Sequence, residues 1–143
     1  MAGPEPWADA KGRLQAAQQV GLLPPIQWPN EEFERPQGSP FLAADMVGAA
    51  GEPVEMGPNA QWDEDGTLHV QVFVPWGYGS EPGRQLARQV VRLFQPPAAA
   101  SGPVLYRRCS IGAGEKEQEG EGKWWVLPVW VDFTFQDHPA AAG

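Results

Sequence analysis

Four groups of residues have types and spacings that invite a chemical reading. Gly77-Tyr78-Gly79-Ser80-Glu81-Pro82-Gly83 follows an apolar run and opens a helical pattern, the place a dinucleotide-binding turn would occupy. Its third glycine falls one position late, Pro82 takes the expected place, and no acidic residue lies about 20 positions on. Glu81 in the first helical turn would also repel a phosphate. Asp63-Glu64-Asp65-Gly66 resembles part of a calcium loop, but in that register Gln61 and Val72 take the first and closing ligand positions, leaving at most a weak cation site. Cys109 lies beside Arg107 and Arg108, which would favour a thiolate, yet a nucleophile needs a base and only His69 and His138 are available. A small buried apolar cysteine fits better, and two histidines make a poor zinc set. The many carboxylates fall in Gly-rich stretches, where acid–base geometry is hard to hold. The expectation is a chain with no catalytic residues, no metal site and no cofactor.

The elements around these groups are short and separated by glycine and proline. Trp7 to Val20 reads as a helix with Trp7, Ala10, Leu14 and Ala17 inward, ended by Leu23-Pro24-Pro25. Phe41 to Val47 reads as a strand, followed by a long acidic loop over 48–66 whose closing turn is Asp63–Gly66, with Gly66 free to take a positive φ. Leu68, Val70, Val72 and Val74 alternate with His69, Gln71 and Phe73, a half-buried strand. Ser80 is placed to cap a helix over Glu81 to Gln95, in which Leu86, Ala87, Val90, Val91, Leu93 and Phe94 share one arc. Arg84, Arg88 and Arg92 form a stripe on the opposite side. Val104 to Ile111 is a third strand, 112–122 a polar hairpin loop, and Lys123 to Phe135 the last strand.

These elements predict an α/β (α+β) two-layer sandwich: a roughly four-stranded, mixed or antiparallel sheet with about two helices on one face. The whole of 1–143 reads as one domain with flexible termini at 1–6 and 137–143 and long loops at 48–66 and 112–122. The last strand has a continuous apolar face, and its other face carries Trp124 and Trp130. Those tryptophans are covered either by a partner subunit or by the chain's own loops. Pro128 within the strand suggests an edge position or a bulge.

A net charge of −8 disfavours a general nucleic-acid-binding surface. The charges also segregate. No Lys or Arg lies between Arg35 and Arg84, and no Asp or Glu between Pro82 and Gly114. Such blocks arise either as solvated faces or as complementary surfaces that meet head to tail. One cysteine excludes an intrachain disulfide, the N-terminus lacks the pattern of a signal peptide, and no apolar stretch is long enough to span a bilayer. Synthesis in the cytoplasm is the default expectation.

The order of short motifs resembles the tail terminator proteins of long-tailed phages and related gene transfer particles. Those motifs are Trp28-Pro29-Asn30 after the first helix, then Val70-Gln71-Val72-Phe73-Val74-Pro75-Trp76-Gly77. Ala87-Arg88 with Leu93-Phe94 follow in the second helix, and Trp124-Trp125-Val126-Leu127-Pro128-Val129 in the last strand. The resemblance runs from Gln15 to Phe135; Ala43, Ala44 and Asp45 depart from the bulkier usual strand, and the acidic hairpin is longer. It implies a hexameric ring that ends polymerisation of the tail tube and joins tail to head. The implied partners are sister subunits, the tail tube protein and neck or stopper proteins, with DNA only as passing cargo, no membrane, and the virion as final location. A neck stopper or head-completion protein is the nearest alternative, and a monomeric small-ligand binding module a more distant one. On this reading Arg84, Arg88, Arg92, Trp124 and Trp130 serve subunit contacts. Glu52, Glu55, Asp63, Glu64, Asp65, Glu115, Glu117, Glu119 and Glu121 face the lumen or an adjoining ring.

Overall fold

A computed structural model describes residues 4–53, 62–96, 99, 102, 104–117 and 123–137. Helix α1 (Pro4–Gln19) starts with Pro4 and Pro6 in its first turn, where an N–H would lack a partner anyway. Ala10, Leu14 and Ala17 are its buried stripe. Its end is set before the prolines: Leu22 N–H donates to the Ala17 carbonyl at 2.9 Å and Gly21 N–H to Gln18 at 3.1 Å. With Gly21 at φ 83°, this is a Schellman stop. Residues 4–6, within the segment expected as a flexible start at 1–6, belong to this helix.

The chain then forms β1 (Ile26–Gln27), parallel to β2 (Phe41–Pro53), which pairs antiparallel with β3 (Trp62–Pro75). Helix α2 (Glu81–Leu93) leads to β4 (Val104–Ile111), β5 (Glu115–Lys116) and β6 (Trp124–Asp137). The sheet order is β1-β2-β3-β6-β4, with β5 also paired to β6. The α+β class with helices on one face is as expected. The four long strands are those anticipated, but among the described residues the sheet has six, because two-residue strands form at Ile26 and Glu115.

The larger correction concerns the acidic segment. The predicted loop over 48–66 is mostly sheet: β2 continues to Pro53 across an irregularity between Gly48 and Gly51, and β3 begins at Trp62. Gly66 is no turn residue. It lies opposite Gly48 in the ladder, and a Cβ there would sit 2.6 Å from the Phe133 ring and 2.8 Å from the Val47 carbonyl oxygen. These glycines let a ring cross a strand, which a sequence cannot distinguish from turn glycines by composition.

The face of the sheet bearing Leu42, Leu68, Val70, Val72, Leu127, Val129 and Val131 buries them against Ala10 and Leu14 of α1 and Ala87, Val90 and Phe94 of α2. Removing these side chains from water is the main stabilising term, about 1.5–3 kcal/mol for each large aliphatic. Gly83 lets α2 approach closely, since a Cβ there would lie 2.9 Å from the Trp125 ring. The Asp9 carboxylate accepts a hydrogen bond from the Tyr106 hydroxyl, tying α1 to β4, and Tyr106 packs edge-on against Phe94 at 4.8 Å. Burial, reinforced by that bond, pushes the Tyr106 phenol far above its ordinary pKa.

Pro128 lies neither at an edge nor at a bulge. β6 is flanked by β3 on one side and by β4 and β5 on the other. The Pro128 carbonyl accepts from Gly112 N–H at 2.9 Å, so its missing N–H falls on that same side. There residues 112–114 arch between β4 and β5, and no ladder donor is needed.

Candidate interaction surfaces

The second face of the sheet is where intramolecular and intermolecular cover compete. The segment after β1 crosses its lower end. Phe33 packs on Phe41 at 5.5 Å, Phe41 stacks on Phe73 at 4.4 Å, and Trp124 meets Phe41 edge-on at 4.9 Å. The Arg35 guanidinium lies 5.2 Å from both the Phe41 and Phe73 ring centres and donates to both carboxylate oxygens of Glu117, at 2.9 and 3.2 Å. Trp124 is therefore buried by the chain's own loop, which corrects its assignment to a subunit contact. Glu117, likewise assigned to a partner-facing loop, is held within the molecule. These two groups also line a cavity of about 590 Å³ with Pro36, Gly38 and Lys123.

Higher on the same face, Trp130 remains 38% exposed and stacks on His69, with ring centres 5.6 Å apart and planes 8° from parallel. The Nε2 of His69 is buried with no hydrogen-bond partner among the described residues. Burial pushes this imidazole below its ordinary pKa, against the pull of the Asp45 carboxylate. Cys109 is opposite Val131 and packs toward the helix-side core, whereas His69 is opposite Trp130 on the other face. The thiol is raised by burial and further by Asp132, the reverse of what activates a nucleophile. His138 lies outside the described residues.

The acidic residues at the far end of β3 do not form one loop. Asp65 is on the outer face, where it accepts from the Thr134 hydroxyl at 2.6 Å and lies 3.8 Å from Arg107. Glu64 points to the other face and is 6% exposed, which removes it from any lumen-lining set. Asp63 is half-buried and opposite Glu52 in the ladder. Glu115 is exposed on β5, while Glu55, Glu119 and Glu121 lie outside the described residues. Among the described residues no group of three or more His, Cys, Asp or Glu side chains is placed to hold a metal ion. No described helix is long and apolar enough to cross a membrane.

The arginine stripe is as read from the sequence. Arg84, Arg88 and Arg92 are exposed along α2 and line a groove of about 540 Å³ with Glu81, Gln85, Gln89 and Ile111 of β4. Arg84 is steadied by donating from Nε to the Ser80 hydroxyl at 3.3 Å. On β4, Arg107 and Arg108 sit at a register irregularity between Tyr106 and Cys109, with Arg107 paired to Asp65 on the outer face. Two features escaped the sequence reading. One is the Arg35 strap, since nothing local marks a partner 82 residues away. The other is the aromatic tip, Trp76 at 50% and Tyr78 at 75% exposure, on a turn whose Gly77 and Gly79 have φ of 99° and 78°. The near-fingerprint glycines thus build a turn and a helix–sheet contact.

Comparison with known proteins agrees with this geometry. One solved structure aligns with a TM-score of 0.56 and 23% identity, covering 90% of this chain and 97% of the other. A chain from the virion of a native gene transfer agent particle aligns with a TM-score of 0.50 and 9% identity, covering 90% and 92% respectively. Both likenesses concern the fold. Comparison with curated proteins gave no match. A family model described as phage tail terminator protein matches residues 7–133, which takes in nearly all of both helices and the sheet, and the chain therefore belongs to that family of phage tail structural proteins.

Proposed function

We propose that this chain is a non-catalytic ring subunit that caps the tail tube, ends its polymerisation and joins the tail to the neck. Beyond family membership, the observation that carries this reading is the unlikeness of the two ends of the sheet. β3 runs from Trp62 to Pro75, a length of roughly 43 Å at about 3.3 Å per residue. At its end stand the exposed aromatic tip of Trp76 and Tyr78 and the Arg35–Glu117 strap. At its start stand Asp63, Asp65 and the exposed Trp62. A ring of like-oriented copies would present one chemistry on each rim, as a component meeting a tube on one side and a neck on the other requires. The net charge of −8 suits a passage through which DNA slides without sticking.

The test is removal of the gene followed by negative-stain imaging of the particles. Over-long tails lacking heads support the reading. Tails of normal length that lack heads would reassign the chain to the neck, and normal particles would reject both roles.

A further inference from the structure

We propose that copies of this chain dock side by side through opposite edges of the sheet, the basic α2–β4 edge of one against the acidic β1–β2 edge of the next, and that charged side chains rather than continued strand pairing make the contact. The proposal rests on the ring reading above and assigns the surfaces that would close it.

The sheet order places β1 and β2 at one side and β4 at the other, so the two edges are far apart and cannot satisfy each other within one molecule. Their charges are opposite. Arg84, Arg88 and Arg92 are exposed beside Ile111 and outnumber Glu81 in the same groove, and none has an ion-pair partner among the described residues. Across the sheet, Glu31 and Glu32 follow β1 and Asp45 stands on β2, all exposed. Lys11 offsets Glu31 at 3.0 Å, and the edge remains net acidic. Two different complementary patches on opposite sides make a heterologous contact, the kind that generates rings when its rotation closes.

Strand pairing across the contact is blocked on both sides. β1 covers β2 only at Leu42 and Ala43. Leu42 donates to the Pro25 carbonyl, so Met46, four residues on, also directs its N–H to the open edge. There the Asp45 carboxylate accepts that N–H at 2.7 Å. On β4 the ladder is interrupted where Arg107 and Arg108 sit. A charged side chain on one edge and a charged irregularity on the other are the features that keep open strands from fusing. What is left to join the edges is electrostatic complementarity, which is sensitive to salt because these groups are exposed.

The experiment measures self-association of the full chain by sedimentation over a range of concentration and salt, with circular dichroism to confirm folding. Triple reversal of Arg84, Arg88 and Arg92 to Glu, or the pair Glu31→Lys with Glu32→Lys, should each weaken association at least about tenfold. An equimolar mixture of the two variants should recover it, since each then supplies the charge the other lacks. Wild-type association should weaken as salt rises. Reversed variants that assemble like the wild type, a mixture that fails to recover, or a wild type monomeric under every condition would each overturn the assignment. Tail length in the gene-removal strain complemented by each variant separates the two claims. Normal tails with both reversed variants would sink these edges and leave the capping role standing, whereas loss of the capping role shows in the uncomplemented strain alone.

Discussion

Arg35 grips Glu117 with two guanidinium nitrogens, at 2.9 and 3.2 Å, while its Cζ lies 5.2 Å from the ring centres of both Phe41 and Phe73. The contact fastens the segment after β1 to the residue that follows β5, and so closes the cover over Trp124. Arg35 is 42% exposed and Glu117 15%, so water screens part of the attraction. Arg35→Ala should cost about 1 kcal/mol in urea unfolding, of which a double-mutant cycle with Glu117→Gln should return about half as coupling. Arg35→Lys should recover little, because an ammonium cannot make the forked bond. A Glu117→Gln variant with unchanged stability would return that carboxylate to the pool available for partners.

Gly66 gives a sharper test, because two readings of it disagree. A turn glycine at positive φ would tolerate Asn in place of Ala. The strand glycine seen here is constrained by the Phe133 ring and the Val47 carbonyl oxygen, at 2.6 and 2.8 Å from the point a side-chain methyl carbon would occupy. Gly66→Ala should therefore destabilise by about 1–3 kcal/mol, as overpacking does, and Gly66→Asn by at least as much. Phe133→Leu should recover only part, since the carbonyl stays where it is. Thermal melts of the four proteins decide between the readings.

The sequence showed its periodic parts and hid those that depend on remote contact. Leu68 to Val74 and the apolar arc of α2 were legible because alternation and helical spacing are local properties, and the arginine stripe came with them. The extension of β2 and β3 was not, because Gly48, Gly51 and Gly66 look like loop glycines until the Phe133 ring is placed over one of them. The candidate site split along the same line. Arg84, Arg88 and Arg92 follow from one helix alone. Glu64 and Glu117 were misassigned because their surroundings are set by strand parity and by Arg35, neither of which an acidic run reveals.

Ser80 illustrates the same lesson at the scale of one hydroxyl. It occupies the N-cap position of α2, but its backbone is helical (φ −96°, ψ −15°) and its side chain makes no capping bond. The hydroxyl instead accepts from Arg84 Nε. Ser80→Ala should consequently change stability by less than about 0.5 kcal/mol, against about 1 kcal/mol for a working serine cap. A loss of the larger size in chemical denaturation would show that the hydroxyl caps the helix in solution.

His69 should make the protein sensitive to mild acid. Its imidazole is depressed below the ordinary 6.5 by burial, which outweighs the pull of Asp45, and its Nε2 has no partner among the described residues to accept the proton's hydrogen bond. Well above pH 6.5 the group is neutral in both folded and unfolded chains and contributes no slope. As pH falls through 6.5 the unfolded chain takes up a proton that the folded chain resists, so stability is lost from there down to the lower folded value. His69→Phe keeps a flat ring against Trp130 and removes the titration. Between about pH 7.5 and 5.5, where most carboxylates stay ionised, the melting temperature of the wild type should fall more than that of the variant. Equal falls in the two proteins would show that protonation of His69 is not resisted by the fold.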